Sequence, residues 1–288
     1  MKNNAIIRIC IYSLLLLLLL AVLLWGLNGF SLFHHWVEGG PDSHAEYAPQ
    51  RLDGTSDAAT FSPAEVSALD IDWAAGDICI QKDDTDLIRI AEDSAGGAEP
   101  MSVTLKSGDL HIEYAQRRNR WFGFGSMTDK NLTITVPRDF DLSELDLDVA
   151  SCNVTVSDMT IGELDFDGAD GDLILEGCTI GELDFDGASG DVVFTGSLDV
   201  LDMDGASTDF EGIFTNCPAV LTMDGMSGKL DVTLPRDSGF TAKVDGMSCN
   251  FESDLPVKTQ NGAYVCGDGR CKITAEGMSM DVTVRYAQ

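Results

Sequence analysis

The chain has 288 residues, enough for one or two domains, and sets 48 Asp and Glu against 18 Lys and Arg, a net charge of −30. Nucleic-acid binding depends on neutralising phosphates with basic side chains, so this balance excludes a nucleic-acid partner. It favours solubility and the attraction of cations.

Residues 1–8 form a short tip carrying Lys2 and Arg8. From Ile9 to Leu27 there is no charge, and only Ser13 and Gly26 fall outside the apolar and aromatic set. As a helix this stretch would run roughly 28 Å, about the hydrocarbon thickness of a bilayer. The next basic residue after it is Arg51, so the positive-inside rule leaves the N-terminus in the cytoplasm and places the remainder outside. The competing reading is a cleaved signal peptide. Its apolar region would be overlong, and no A-x-A-like site follows closely. Both readings export residues 28–288, and the uncleaved anchor is the expectation carried forward: a single-pass protein of the cell membrane.

Residues 28–62 are rich in Gly, Pro, Ser and Asp and lack periodicity, the texture of a linker. From about Ser62 the texture changes. Short runs of Val, Ile, Leu, Phe and Thr alternate with Asp and are punctuated by glycine turns, an all-β pattern with no helical period.

The phrase "IGELDFDGA" stands at Ile161–Ala169 and again, unchanged, at Ile180–Ala188. Looser copies begin at Leu69, Leu145, Leu164, Leu183, Leu201, Leu221, Ala242 and Ile273. From Leu145 to Ala242 the steps are 19, 19, 18, 20 and 21 residues, and the last step is 31. A fixed short period means one supersecondary unit stacked on copies of itself, since each is too small to bury a core alone. In "LDFDGASGDVVF", Leu183 and Phe185 alternate with Asp184 and Asp186, so the apolar pair faces inward and the aspartates outward. Gly187 and Gly190 are expected where the chain turns tightly. The predicted fold is an all-β, single-stranded β-helix-like solenoid over residues 63–288, with rungs of about 19 residues. Residues 63–140 fit the repeat less well and read as hairpins covering one end, 141–288 as repeats, and the terminal "MDVTVRYAQ" as closing the other end.

Stacking generates acidic columns. One contains Asp148, Asp167, Asp186, Asp204 and Asp224, continuing to Asp245 and Glu276; its neighbour contains Asp146, Asp165, Asp184 and Asp202. Like charges opposite one another on adjacent strands destabilise, so the pattern requires a reason. Three readings stand: a ladder of oxygen ligands for Ca²⁺ at Asp148, Asp167, Asp186, Asp204 and Asp224; a solvated face that discourages aggregation; and a second column that turns to accept hydrogen bonds from turn amides. No other cofactor is indicated.

One segment runs against the charge. Residues 116–130 hold Arg117, Arg118, Arg120 and Lys130 with Trp121, Phe122 and Phe124 between them. Basic and aromatic residues together suit a partner or lipid contact, or else a hairpin folded over the open end of the coil. Seven cysteines lie beyond the membrane segment, an odd number, so at least one is unpaired within a monomer. Cys266 and Cys271 flank "GDGR" and are a candidate disulfide across a tight turn. The other five are scattered singly, as small buried apolar residues would be.

No G-x-S-x-G, P-loop or His-rich metal motif occurs, and the aspartates fall at repeat positions where a catalytic pair would break the repeat. His111, in "GDLHIEYA", reads as an ordinary strand residue. Enzymatic activity is not expected.

The strands "LDIDWAAGDICI", "SGDLHIEY", "LTITVPRD" and "LDLDVASCNVTV" resemble the putative-adhesin family of bacterial envelope domains, of the DUF4097 type. The resemblance spans roughly residues 65–285 and rests on a hydrophobic-x-hydrophobic strand, a small-Gly-Asp turn and a "VP" strand end. It implies a β-solenoid of unknown function, frequently behind a membrane anchor, in proteins tied to the cell surface. It brings no catalytic residues. The expectation that follows is a non-catalytic surface-binding, adhesin-like module, with cell-wall polymer or a host surface as partner. The alternatives are an envelope-stress sensor or accessory acting on a membrane protein and, more remotely, a carbohydrate-active enzyme.

Overall fold

The computed structural model describes residues 45–47, 50–51, 56–94, 99–115 and 129–287. They belong to one compact unit, His44–Gln288. The expected membrane anchor lies outside the described residues.

In chain order the strands are β1 (Ala45–Tyr47), β2 (Gln50–Arg51), β3 (Ser56–Phe61), β4 (Ala68–Asp83), β5 (Ile88–Ser94), β6 (Ser102–Lys106), β7 (Asp109–Glu113), β8 (Lys130–Pro137) and β9 (Leu142–Ser157). They continue as β10 (Thr160–Asp170), β11 (Leu173–Phe214), β12 (Val220–Leu234), β13 (Phe240–Gly246), β14 (Asn250–Ser253), β15 (Lys258–Gln260), β16 (Ala263–Cys266) and β17 (Cys271–Tyr286). The only helical element among the described residues is a 3-10 turn at Pro63–Glu65.

The rungs stack in parallel with the register that the repeat predicts. Leu145 pairs with Leu164, and Leu164 with Leu183. Further along, Leu201 pairs with Leu221 and Leu221 with Ile273. Parallel sheets are usually covered on both faces and read as continuous apolar runs. Here the coil covers only the inner face, so the strands keep strict alternation: β4 alternates buried with less buried residues from Ala68 to Gly76. The inward residues form one continuous core. Leu183, Phe185, Val192 and Phe194 in a single rung are all completely buried. Each such side chain stabilises the fold by about 1.5–3 kcal/mol relative to exposure. Phe166 and Phe185 stack from rung to rung, ring centroids 4.7 Å apart and nearly coplanar.

Gly190 turns the corner with φ +140°, and a Cβ there would stand 2.0 Å from the Gly171 carbonyl oxygen. Gly187 serves a different purpose from the expected turn. Its φ is ordinary, but a Cβ would meet the Phe185 ring at 2.4 Å, so it makes room for the aromatic two residues earlier. Gly168 stands in the same relation to Phe166, at 2.5 Å.

The order of rungs in space departs from their order in the chain at both ends. β4 is a true rung, paired with β9 on one side and with β7 and β8 on the other. Antiparallel hairpins then cover that end: β6 on β7, β5 on β8, and β3 on β5. The sheet therefore begins before Ser62, in part of the stretch read as linker, and Phe61 is in the core. At the far end β17 lies between β12 and the pair β13–β14, which form the outermost rung. The C-terminal strand is thus interior, not the closing strand. The hairpin β15–β16, with β16 antiparallel to β13, carries the chain past the last rung before it returns.

Candidate functional site

The repeat places its outward residues in straight columns, and three of them make one acidic face. The outer column runs Glu113, Asp72, Asp148, Asp167, Asp186, Asp204, Asp224, Glu276, Asp245 across consecutive rungs. The middle column is Asp70, Asp146, Asp165, Asp184 and Asp202, with His111 next to Asp70 at one end and Lys243 in the same column at the other. A third, shorter column holds Glu144, Glu163 and Glu182. Neighbouring rungs are about 4.8 Å apart, so each carboxylate in the interior of a column has like charges on both sides.

The basic groups sit at the ends. His111 Nδ1 lies 2.8 Å from Asp70 Oδ2, and Nε2 lies 3.8 Å from Asp72 Oδ2. The hydrogen bond to Asp70 raises the imidazole pKa despite its partial burial. Lys243 Nζ is 2.5 Å from Asp245 and 3.6 Å from Glu276. In the middle of the face burial and like charge raise the carboxylate pKa values. Burial first, then the charges of Asp70, Asp148, Asp165 and Asp167, push Asp146 up to about 7. Asp184 is pushed up to about 6 by burial and by Asp165, Asp186 and Asp202. Asp165, Asp167, Asp186 and Asp224 are raised as well, in each case by burial first. Asp224 Oδ1 is buried with no hydrogen-bond partner among the described residues.

The expected calcium residues Asp148, Asp167, Asp186, Asp204 and Asp224 therefore stand in one line. A line is not a cage: among the described residues no three His, Cys, Asp or Glu side chains are grouped to hold a metal ion. The turn-amide reading applies to other residues. Asn131 Oδ1 accepts from the Asp77 amide at 3.1 Å, Asn153 Oδ1 from the Asp172 amide at 3.2 Å, and Asp172 Oδ1 from the Asp191 amide at 3.0 Å. These residues include the Asp of the small-Gly-Asp turn, past the corner from the acidic face. The motif in the sequence carried that signal; the second column, expected to make such bonds, is not what accepts from these amides.

Arg117, Arg118, Arg120, Trp121, Phe122 and Phe124 lie outside the described residues. Lys130, grouped with them in the sequence, is not a surface cation. Its side chain is 1% exposed and pairs at 3.2 Å with Glu92, which is 0% exposed. Lys130 Nζ also donates to the carbonyls of Glu99 and Ala115, and its own carbonyl accepts from Trp73 Nε1 at 2.9 Å. It thereby fastens the two described ends that flank residues 116–128.

Cys266 and Cys271 do not form a disulfide; both thiols are free and buried. They pair with opposite edges of the same residue, Phe240, on β16 and β17 respectively. Two strand spacings, about 10 Å, separate them, beyond the roughly 7 Å that a disulfide spans. Cys152 and Cys178 are buried as expected of apolar residues, while Cys79, Cys217 and Cys249 are half-buried.

His111 was not legible as part of a site. Its signal was available, because aligning "LHIEY" with "LDIDW" sets it opposite Asp70.

The described unit is a parallel β-solenoid with hairpin-covered ends and one carboxylate-lined face. The chain belongs to the Toastrack DUF4097 family, whose model matches residues 66–211 and again 141–285. The doubled match reflects the internal repeat. No curated protein matches the chain. Among solved structures it is similar to a putative adhesin from Bacteroides fragilis NCTC 9343 (13% identity, 82% of this chain and 98% of that chain, TM-score 0.43). It is also similar to a putative cell adhesion protein from Clostridium sporogenes ATCC 15579 (11% identity, 83% and 100%, TM-score 0.35). A third is a putative lipid binding protein from Parabacteroides distasonis ATCC 8503 (11% identity, 82% and 98%, TM-score 0.29).

Proposed function

We propose that this protein is a non-catalytic, membrane-tethered binding module of the cell envelope, and that its acidic face contacts anionic cell-wall polymer through divalent cations. The unbroken row of carboxylates from Glu113 to Asp245 carries this reading. Such a face has too few basic groups of its own to neutralise it, so it concentrates cations from solution. Ca²⁺ takes oxygen ligands flexibly and keeps water, so a line of carboxylates one rung apart can share such ions with the oxygens of a second anionic surface. No enclosed cage is needed for that role. The N-terminal apolar segment supports the tether.

The test is co-sedimentation of the His44–Gln288 unit with purified sacculi and with anionic liposomes, in calcium and in chelator. Calcium-dependent sedimentation with sacculi is expected, and it should be lost when Asp165, Asp167, Asp184 and Asp186 are replaced by Asn. Sedimentation indifferent to chelator and to those replacements would remove the acidic face from the contact. Sedimentation with liposomes alone would make lipid the ligand. Absence of sedimentation in every condition would redirect the search to a protein partner of the full-length chain.

A further inference from the structure

The outward column beside the acidic rows changes composition along the stack. In five rungs it is alanine: Ala74, Ala150, Ala169, Ala188 and Ala206. In the last three rungs in space it is Met226, Met278 and Met247. These residues are far apart in the chain and out of order. They become neighbours only because β17 inserts between β12 and β13. The Ser248 amide donating to the Met278 carbonyl at 2.9 Å fixes the last step of the register.

Burial does not explain the methionines. They are 60%, 54% and 87% exposed, Met247 the most of any large apolar side chain described. Docking of an apolar partner does not explain them well either. The strip is one side chain wide, bounded by the Asp224, Glu276 and Asp245 column on one side and the serines of the corner on the other. Beneath it the corner is rich in sulfur. A Cβ on Gly277 would stand 2.8 Å from Met280 Sδ, and one on Gly246 2.5 Å from Cys249 Sγ.

The geometry points to a binding site for a soft monovalent metal ion, Cu(I) or its redox-inert surrogate Ag(I), formed by the thioethers of Met226, Met278 and Met247. Thioether sulfur selects such ions over the hard cations that the carboxylates attract. With metal–sulfur bonds of about 2.3 Å, three donors spread around one ion stand about 4 Å apart, so side chains rooted about 4.8 Å apart on successive rungs need only converge at their tips. Methionine's three rotatable bonds let the outer two side chains lean toward Met278 on the central strand. The adjacent carboxylates supply the negative potential that draws a cation to this end of the face. Binding forms dative S–metal bonds and requires no electron or proton transfer. The site is independent of the cell-wall reading.

The experiment is a titration of the full-length chain, labelled at the methionine methyl groups, with silver ion followed by NMR. The methyl signals of the three residues, assigned from single Met→Ala variants, should move together and saturate at a single ion. Alanine is the residue that the other rungs carry at this position, so these variants keep the fold. A triple Met→Leu variant, which keeps the apolar surface and removes the sulfurs, should lose that saturating site. Silver shifts confined to other methionines, uptake accounted for wholly by the cysteines, or unchanged uptake in the Met→Leu variant would each overturn the proposal.

Discussion

At the scale of single residues, the Lys130–Glu92 pair is the least expected feature of so acidic a chain. Two opposite charges are withdrawn from water, and Glu92 Oε1 finds no hydrogen-bond partner among the described residues. Glu92 Oε2 also accepts from the Met101 amide at 2.8 Å, and Tyr114 lies under the ammonium, 4.6 Å from ring centroid to Nζ. A buried pair contributes little net stability compared with well-packed apolar residues, but removing one partner strands the other charge. Lys130→Met should therefore lower unfolding stability in urea by about 3–5 kcal/mol. Adding Glu92→Leu to it should recover part of that loss, the remainder reflecting the stranded Met101 amide. A single variant within about 0.5 kcal/mol of the parent, the range of an ordinary surface substitution, would show that the pair is not buried in solution. The burial was not legible in the sequence, because it depends on Glu92 of β5 and the Ala115 carbonyl, just past β7, reaching the lysine from elsewhere in the chain.

At the scale of elements, the inside and outside of each strand were readable, and the order of the rungs was not. The alternation of Leu183 and Phe185 with Asp184 and Asp186 is a local property with a period of two, so the chain displays it directly. Stacking order depends on which edge accepts which, and neighbouring rungs offer nearly the same edge. The 31-residue step to Ile273 marked an insertion, but nothing local stated that the strand after it would slip back beside Leu221. The same rearrangement separates Cys266 from Cys271, close in sequence but on either side of β13. It also assembles the methionine column, whose "GMS" copies were visible although their adjacency was not. The interior position of β17 has a direct consequence. Ending the chain at Arg270 would strip β12 and β13–β14 of their shared partner together. Circular dichroism should then show loss of a cooperative thermal transition. A truncated chain that still melts cooperatively close to the parent temperature would mean that the last strand is a dispensable edge.

At the scale of the whole molecule, the acidic face couples stability to pH in a direction opposite to that of most carboxylate-rich proteins. Carboxylates in native salt bridges usually have lowered pKa values and lose their stabilising effect as pH falls. Asp84, paired with Arg138 at 2.6 Å, is of that kind, but the pair is exposed and contributes little. The face behaves in the other sense. Asp146, at about 7, and Asp184, at about 6, hold protons in the folded state that the unfolded chain would release above its ordinary carboxylate range. Between that range and neutrality the folded state binds more protons, so unfolding free energy falls as pH rises. His111 acts in the same direction. Its raised pKa contributes stability below the ordinary imidazole value, which is lost as pH climbs through the folded-state value. The melting temperature of the His44–Gln288 unit should therefore fall from pH 5 to pH 8. Added salt or calcium should restore more of it at pH 8 than at pH 5, because only the ionised face needs screening. Asp146→Asn with Asp184→Asn removes the two most strongly shifted carboxylates of the face and should flatten the profile while raising the melting temperature at pH 8. A profile that rises with pH, or one that the double replacement leaves unchanged, would mean that the columns repel one another too weakly to bind protons or to recruit the cations on which the proposed envelope contact depends.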